Sequence, residues 1–538
     1  MRKKNIIDYL SKDIKNRSMF KKQIITRFSP EPNGCLHLGH VKAIWVNYSL
    51  AKFLNGKCYI RFDDTNPIKE NKIYITSVLE DIHWLGFNFK NIYYASNYFN
   101  KIYEWALFLI KQGKAYVDDL SITEIKQYRG DFKSTGYNSP YRKRNIKNNM
   151  FLFKKMYKGF VKEGKKVLRA KINMKSKNIN LRDPIMYRII NVYHYRTGNK
   201  WKIYPSYDFT HGQSDMIEGI THSICTLEFE NNRLLYQWFI QNILNDSFNY
   251  PKQIEFSRMN ISFSLTSKRK IKLLIDKENL FGWDDPRLST VSGMRRRGYT
   301  PTSLKKLCQI TGITRSNNNI DINLQYYAIR SDLENKVIRV MCVINPIKLI
   351  LTNLIVDYEE IITVKNHPFI EMGTRSIYFN RELWIDLKDL NINHKQKTNG
   401  FRLSIGTKIR LRHSYIIKCN KLIFFKNKQP KEIQGIVYLN TKNKNIEGKK
   451  IKGVIHWVSV KHGVTVYIRH YKNFLQNHFV NKNSLIINKA IGEPILSRIK
   501  PETRIQFERV GFFCADRYDF NKTNFVFNKI ISLKNNCL

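Results

Sequence analysis

The first 100 residues alternate between strand-like and helical patterns, and this alternation restricts the possible fold more than any other feature. A short apolar run, 23–28, leads into a proline turn, and from Leu38 apolar residues recur at helical spacing up to an Asn-Gly pair at 55–56. A second strand-like run, 58–62, precedes turn residues and a helical pattern ending at 85–86. Strand, helix, strand, helix predicts a parallel sheet with right-handed crossovers in an α/β fold.

The remainder of the 538-residue chain changes character twice, and its length indicates two to four domains. Residues 101–206 are mixed and basic. Beyond about 334, short β-rich runs are separated by Asn, Gly and Lys clusters, a pattern typical of barrels or sandwiches. For the Lys/Asn-rich segment 420–452 we expect mainly loops, interrupted by strand candidates.

The formal net charge of +50 favours a polyanionic partner such as nucleic acid, because Lys and Arg release counterions when they neutralise phosphates. The abundance of Lys, Ile and Asn is equally what an A/T-rich genome would encode. Eight scattered cysteines without a C-x-x-C pair argue against a zinc site or a disulfide framework and fit a reducing cytoplasm. Neither a membrane span nor a secretory signal is expected.

A rigid turn, a glycine and two histidines follow the first strand-like run, in SPEPNGCLHLGH (29–40). In open α/β folds, ligands bind beyond the carboxyl ends of the strands, where a helix N-terminus offers free N–H groups. Gly39 lets a purine or phosphate approach the backbone. His37 and His40 share a helical face and can both donate to one triphosphate. A zinc site lacks a third ligand at suitable spacing; buried core histidines are the ordinary alternative.

Together with RFDDTNP (61–67), this segment resembles the signature of the class I aminoacyl-tRNA synthetases of the glutamyl/glutaminyl branch. LTSKRK (265–270) occupies the place of the second class I signature, a Lys-Met-Ser-Lys-Ser-like loop. The blocks 204–233, 282–301 and 454–463 are similar to the glutaminyl members of the branch. The resemblance therefore covers nearly the whole chain.

The resemblance implies a domain order. An α/β Rossmann-like catalytic domain, 21–100 and 207–265, is interrupted by an acceptor-end-binding insertion, 101–206. A helical subdomain, 266–333, carries the second signature, and two anticodon-binding β-barrels occupy 334–538. A cytoplasmic monomer without a membrane partner is the expected state.

The implied reaction is activation of L-glutamine by ATP with Mg²⁺, followed by transfer to the 3′ end of tRNA(Gln), with no protein-bound structural metal. In-line attack on the α-phosphorus requires mainly positioning and stabilisation of charge. The catalytic candidates are His37 and His40 as donors and Lys268 as the cation for the pyrophosphate. The implied ATP-binding residues are Glu31, Pro32, Asn33, His37, Leu38, Gly39, His40, Val41, Lys42, Ala43, Thr226, Arg258, Met259, Thr266, Ser267 and Lys268. Thr266 replaces the methionine that is usual in this signature.

For the amino acid, the resemblance assigns Asp63 to the substrate ammonium and Tyr207 to the carboxamide. A carboxylate at a strand end suits the first role and a phenolic hydroxyl the second, although Asp63 could instead form an Asx turn, and the same holds for Asp64. Related glutamyl enzymes often carry an arginine at the position of Cys225. A neutral thiol leaves a glutamate carboxylate unpaired, which favours glutamine.

The resemblance also implies tRNA contacts. The helical region 293–299 carries three adjacent arginines, which cannot all face one way, so we expect one or two to be structural. Phe401 departs from the lysine usual in the family. The alternation in Arg410-Leu411-Arg412 predicts two guanidiniums on one strand face with Leu411 inward. Six residues match family positions that read anticodon bases: Arg339, Arg402, Arg410, Arg412, Gln506 and Arg509.

Two other functions stay open at this point. One is a glutamyl or non-discriminating enzyme of the same fold, against which Cys225 speaks. The other is a catalytically silent tRNA-binding paralogue, against which the joint presence of five residues speaks: His37, Gly39, His40, Asp63 and Lys268.

We expect Lys268→Ala to lower the turnover of amino-acid activation by about a hundredfold, because it removes a cation from the developing pyrophosphate charge. The KM for glutamine should change little. Pyrophosphate exchange in the presence of tRNA measures both, and near-normal turnover would remove Lys268 from the mechanism.

Overall fold

The computed structural model describes residues 23–244, 251–261, 268–277, 280–316, 319–391, 402–442, 444, 451, 453–476 and 479–533. They form two compact units, residues 1–261 with 308–320 and residues 262–307 with 321–538. None of the described helices is both long and apolar enough to cross a bilayer.

The first unit combines parallel and antiparallel sheets with helices. Its strands are β1 (Ile25–Phe28), β2 (Lys57–Phe62), β3 (Ile92–Tyr94), β4 (Ala115–Asp118), β5 (Val167–Ala170), β6 (Ile185–Ile189), β7 (Ile203–Pro205), β8 (His222–Thr226), β9 (Lys252–Phe256), β10 (Asn260–Ile261) and β11 (Asn319–Ile320). Its helices are α1 (Leu38–Phe53), α2 (Lys72–Trp84), α3 (Phe99–Lys111), α4 (Ile122–Arg129), α5 (Ile146–Tyr157), α6 (Tyr207–Ile217) and α7 (Arg233–Ile243).

The predicted alternation of strands and helices at the start of the chain is confirmed. β1, β2 and β3 form a parallel sheet in that order, and β8 pairs with β9 in parallel. The Thr221 N–H donates to the Ile25 carbonyl at 2.9 Å, which places the start of β8 beside β1. α1 ends where predicted, because Asn55 takes the left-handed conformation (φ 52°) that asparagine tolerates better than most residues.

Residues 115–205 contain a four-stranded antiparallel sheet in the order β4-β5-β6-β7. Apolar side chains of α3 and α5 share one core with this sheet, including Ile102, Leu109, Phe153 and Leu168. The sheet and its helices lie in the same unit as the parallel strands.

The second unit is rich in β-structure. Its helices are α8 (Lys268–Lys277), α9 (Val291–Arg297), α10 (Pro301–Thr311), whose last residues belong to the first unit, and α11 (Ile322–Leu333). Its strands are β12 (Arg339–Val340), β13 (Cys342–Val343), β14 (Pro346–Leu351), β15 (Glu359–Lys365), β16 (Thr374–Asn380), β17 (Glu382–Asp386), β18 (Lys408–Leu411), β19 (Ile416–Phe424), β20 (Pro430–Tyr438), β21 (Val454–Ile455), β22 (Trp457–Ser459), β23 (Val464–Tyr471), β24 (Leu475–Gln476), β25 (Phe479–Val480), β26 (Leu485–Gly492), β27 (Arg504–Phe507), β28 (Gly511–Ala515) and β29 (Val526–Ser532).

Two seven-stranded sheets account for the predicted barrels. One runs β12-β27-β28-β29-β23-β26-β13 and the other β21-β18-β19-β20-β14-β17-β22. In each sheet the two outer strands are consecutive in the chain, with one residue between them. The sheet must therefore curl until its edges meet, which gives a nearly closed barrel.

The expected strands within the segment 420–452 are present, since the end of β19 and all of β20 lie there. Buried Ile433 and Val437 alternate with more exposed polar residues along β20. Lys421 on β19 and Lys431 on β20 are exposed, so these two lysines do not prevent strand formation.

The three adjacent arginines of α9 have different partners, and at least one of them is structural, as predicted. Arg296 is 5% exposed and its guanidinium binds Asp516 (3.1 and 3.2 Å) and Asp284 (3.2 Å). Arg295 pairs with Glu502 at 2.9 Å. Arg297 donates to the Lys529 carbonyl at 3.4 Å. Arg296 is thus a structural residue of this unit.

We expect Arg296→Ala to lower the free energy of unfolding of this unit by about 3 kcal/mol, because it leaves the buried Asp516 without its main cation. Arg297→Ala, the matched control, should cost clearly less, since Arg297 makes no ion pair within the described residues. Urea denaturation followed by circular dichroism measures both; equal effects would contradict the assignment.

Candidate functional site

The loop after β1 and the first turn of α1 form a compact structure built by two histidines. His37 is the N-cap of α1; its Nδ1 accepts from the Gly39 N–H at 3.1 Å. The His40 Nδ1 accepts from the His37 N–H at 3.1 Å, and the two ring centroids lie 3.8 Å apart. Because each Nδ1 is an acceptor, each neutral ring carries its proton on Nε2. Both Nε2–H groups are thereby set as donors.

A glycine is needed at position 39 for a structural reason as well as for the approach of a ligand. A Cβ at this position would lie 2.9 Å from the His37 Cε1 and 3.1 Å from its Nδ1. Any larger residue would displace the His37 ring from its capping position. The glycine therefore supports the orientation of one of the two predicted donors.

The residues that the resemblance places around ATP differ in how far their side chains are buried. Leu38, Val41, Lys42 and Met259 are 2% exposed or less, so their side chains belong to the interior. Burial lowers the pKa of Lys42, which lies near the thiol of Cys308. Ala43 packs against the small core formed with β8 and β9. Of these residues, only the backbone is placed to meet a ligand.

Five further predicted nucleotide residues lie in the loop after β1, at the end of β8 or after β9. Asn33 donates to the Glu31 carboxylate at 2.5 Å, and Pro32 is buried between them. Thr226 ends β8, and Arg258, after β9, pairs with Glu228. Thr266 and Ser267 lie outside the described residues, as does the side chain of Lys268, which begins α8.

Beneath the ends of β1 and β2 lies a buried ionic network. Arg27 donates from Nε to Asp215 Oδ1 at 3.0 Å, and Arg61 donates from Nη1 to the same oxygen at 2.6 Å. Arg61 also binds Asp63 Oδ1 at 2.7 Å and Glu218 Oε2 at 3.1 Å. All five side chains are essentially buried. One carboxylate on α6 thus holds guanidiniums from two neighbouring strands.

Asp63 keeps one oxygen available. Its Oδ2 is buried and has no hydrogen-bond partner within the described residues. Burial raises the pKa of Asp63, and Arg61 opposes that effect. Asp64 forms no local Asx turn: its carboxylate accepts from the Ser96 N–H (2.8 Å), the Ser96 hydroxyl (2.7 Å) and Tyr195 (2.9 Å). The alternative of a local Asx turn at Asp64 is therefore wrong, but its carboxylate does cap a helix start, since Ser96 lies in the first turn of the 3₁₀ helix Ala95–Tyr98.

Tyr207 and Cys225 lie around the same network. Tyr207 begins α6 and its ring lies 5.0 Å from that of His211 and 5.5 Å from that of Phe229. Cys225 is on β8, and burial raises the pKa of its thiol to about 12, so the group is neutral. The charge of Arg27 acts on Cys225, but that guanidinium is already bound to Asp215.

A cavity of about 380 Å³ in the second unit is lined by some of the predicted anticodon-binding residues. Arg339 and Arg412 line it, together with His413, Lys442 and Glu508. Although burial raises the pKa of Glu508, the hydrogen bond from His413 and the charge of Arg412 hold it at about 2. Gln506 pairs with Arg339 between β27 and β12 and is 6% exposed.

The expected common face for Arg410 and Arg412 is wrong. β18 ends at Leu411, which is buried as predicted, and the chain then turns at His413 (φ 60°). Arg410 donates to the Thr441 carbonyl at 3.0 Å and the Ser414 carbonyl at 3.2 Å, whereas Arg412 binds Glu508. The early end of the strand separates the two guanidiniums.

The other predicted anticodon residues lie apart from that cavity. Arg509 forms two 2.6 Å hydrogen bonds with the Asp389 carboxylate and lines a different cavity. Arg402 is exposed, and Phe401 lies outside the described residues.

The comparisons with known proteins agree along the chain. Residues 23–335 match the family model for the catalytic domain of tRNA synthetases class I (E and Q). The chain belongs to the class I (E and Q) tRNA synthetases. Residues 337–438 and 454–516 match two anti-codon binding domain models of this family.

Curated relatives of this synthetase are similar over their full length. The glutamine–tRNA ligase of Pseudomonas putida is 46% identical, with 95% of this chain and 92% of the relative covered. That of Buchnera aphidicola subsp. Acyrthosiphon pisum is also 46% identical, with 98% and 95% covered. A solved glutamate-tRNA synthetase from Elizabethkingia anophelis is 17% identical, with a TM-score of 0.43 over 58% of this chain and 71% of that one.

Several groups of this synthetase's site were missed from the sequence. Arg27 and Asp215 are 188 residues apart and carry no local signal. Phe369 is 89% exposed, and an apolar ring in a polar loop was a signal in the sequence. The His367 Nδ1 accepts from the Phe369 N–H at 3.2 Å, and the residue between them, Pro368, lines the first cavity.

In the described part of the synthetase, no three His, Cys, Asp or Glu side chains lie close enough to hold a metal ion.

The buried His211 predicts a pH dependence of stability. Burial lowers the pKa of His211 to about 3. The charges of Arg27 and Arg61 act in the same direction, and the charge of Asp215 acts against it. The unfolded state takes up a proton below about pH 6.5 and the folded state does not. Stability is therefore lost as pH falls, by about 1.4 kcal/mol per pH unit. Glu218, whose pKa burial raises to about 7, acts in the opposite direction.

Because the contributions of His211 and Glu218 oppose each other, the pH dependence of stability has to be compared between the unmodified protein and its variants. We expect His211→Gln to remove the loss below pH 6.5, so that between pH 6.5 and 5 its stability falls less, or rises more, than that of the unmodified protein. His83→Gln, at an exposed position on α2, should leave the profile unchanged. Calorimetry at pH 5, 6, 7 and 8 measures the difference; parallel profiles for all three proteins would contradict the assignment.

Proposed function

We propose that this synthetase is a glutamine–tRNA ligase. It activates L-glutamine with ATP, which enters as its magnesium complex, and transfers the aminoacyl group to the 3′ end of tRNA(Gln). The end-to-end similarity to curated glutamine–tRNA ligases is the observation that carries this proposal. A monomer in the cytoplasm is part of it.

The charge balance of the buried network supports binding of an amino acid. Two guanidiniums, Arg27 and Arg61, face three carboxylates, Asp63, Asp215 and Glu218. Burial and the two neighbouring aspartates raise the pKa of Glu218 to about 7 despite Arg61, which marks a deficit of positive charge. A substrate ammonium at the unpartnered Asp63 Oδ2 would supply the missing cation.

The first turn of α1 supports ATP as the second substrate. The Nε2–H donors of His37 and His40 lie on adjoining rings beside a helix N-terminus. Such a pair of donors can bind phosphate oxygens and stabilise the charge that develops during attack at the α-phosphorus. The two residues position and stabilise the phosphate without transferring a proton themselves.

The electrostatics around Cys225 favour glutamine over glutamate. Cys225 is neutral, and the Arg27 charge is balanced by Asp215. A glutamate side chain would bring a second carboxylate beside this acidic network, whereas a carboxamide adds no charge. The related glutamyl function is therefore the less favoured one.

The second unit supports tRNA as the partner. The cavity lined by Arg339 and Arg412 is about 380 Å³; Pro368 also lines it, and the next residue in the chain, Phe369, is exposed. Guanidiniums can read base edges, and an exposed ring can stack on an unpaired base.

The decisive test is charging of a tRNA(Gln) transcript with glutamine and, separately, with glutamate, in the presence of ATP and Mg²⁺. Glutamine should be attached far more efficiently. Preferential attachment of glutamate would keep the fold and reaction but overturn the specificity, and failure with both amino acids would favour a tRNA-binding protein without catalysis.

We expect Cys225→Arg to shift the preference towards glutamate, because it places a cation near the substrate side chain. Cys225→Ala, which keeps the position neutral, is the matched control. The measured quantity is the ratio of kcat/KM for the two amino acids; an unchanged ratio in Cys225→Arg would refute the role of this position.

A further inference from the structure

A second cavity in the C-terminal unit, about 550 Å³ in volume, has a lining rich in cationic and imidazole groups. Lys388 follows β17, His470 lies on β23 and Lys529 on β29. His456, between β21 and β22, and Arg509 complete this part of the wall. None of the roles assigned above uses Lys388, His470 or Lys529.

The carboxylates of the cavity already have partners. Asp389 forms two 2.6 Å hydrogen bonds with Arg509, and Asp386 accepts from the backbone N–H of Lys388 at 3.0 Å. Among the residues that the structure describes, neither Lys388 nor Lys529 forms an ion pair. The cavity therefore has two cations without an anionic partner.

The imidazole of His456 presents a buried donor. Its Nδ1 lies 3.0 Å from Arg509 Nη1, and since a guanidinium only donates, Nδ1 is the acceptor. The proton of the neutral ring is then on Nε2. This atom is buried and has no partner within the described residues, although His456 is 97% buried. A protonated Nε2 cannot ligate a metal ion but can donate to an anion.

Lys388 and Lys529 repel each other, and both disfavour the protonated form of His470. Burial and the two lysines lower the pKa of His470 to about 4. Burial, Lys388 and Arg297 lower that of Lys529. The His470 Nε2 is also buried without a partner in the described part of the chain. A cluster of like charges with open donors is stabilised when an anion enters.

We propose that this cavity binds a phosphate group, through Lys388, Lys529, the Nε2 donor of His456 and the imidazole of His470. A tetrahedral oxyanion offers several acceptor oxygens to donors that converge from different strands. The phosphate can come from free inorganic phosphate or from an RNA backbone, and both sources present the same chemistry. The site is separate from the reaction proposed above and does not depend on it.

The first test titrates inorganic phosphate into the full-length protein by calorimetry at constant ionic strength. We expect saturable binding that weakens at least about tenfold in Lys529→Gln, the loss of one charge-assisted hydrogen bond. Lys421→Gln, which removes an exposed charge on β19, is the matched control and should bind normally. Absence of saturable binding, or equal weakening in both variants, would overturn the proposal.

The source of the phosphate is decided with an anticodon stem-loop RNA. If Lys529→Gln weakens RNA binding and inorganic phosphate competes with the RNA, the site takes a backbone phosphate. If the variant loses only phosphate binding, the site takes a free anion. Charging activity of the same preparation shows independently whether the proposed ligase function holds.

Sulfate provides a readout that a purely structural cluster would not give. It stays dianionic between pH 5 and 8, while His470 faces Lys388 and Lys529 in a cavity shared with His456, Arg509, Asp386 and Asp389. A bound dianion raises the pKa of His470, so binding takes up a proton and tightens as pH falls. His470→Leu should flatten this dependence; an unchanged slope would remove His470 from the site.

Discussion

Arg27 on β1 and Arg61 on β2 both bind the carboxylate of Asp215 on α6, and their burial sets how two strands and a helix must lie together. Charges without water are tolerated only when paired and hydrogen-bonded, so loss of Asp215 would leave two uncompensated cations in the interior. The same network presents Asp63 at the end of β2 with one free oxygen. Structural support and the proposed recognition of the substrate ammonium thus depend on one set of ion pairs.

In the first turn of α1, too, the same side chains combine a structural role with a proposed binding role. Each histidine of the signature uses Nδ1 to satisfy a backbone N–H of the helix start, and this bond sets the other nitrogen as a donor. Capping and phosphate binding are therefore compatible uses of the same ring. Gly39 is required by the His37 ring itself as well as by any ligand.

In the second unit, positive charge divides into structural and available groups. Arg296 is bound by Asp516, Arg412 by Glu508 and Arg509 by Asp389. Lys388 and Lys529 have no such partners among the described residues. The +50 net charge is thus not uniformly free to bind RNA, since much of the arginine complement holds the barrels and α9 in place.

The sequence by itself determined the alternation of β1, α1 and β2, the β-rich C-terminal half and the signature residues His37, Gly39, His40 and Asp63. These follow from periodicity and turn chemistry within short stretches, or from contiguous motifs. Only the tertiary structure decided that Arg27 meets Asp215, 188 residues away, and that Arg410 and Arg412 part after β18. Pairing of distant charges depends on the register and packing of separate elements, which no local pattern encodes.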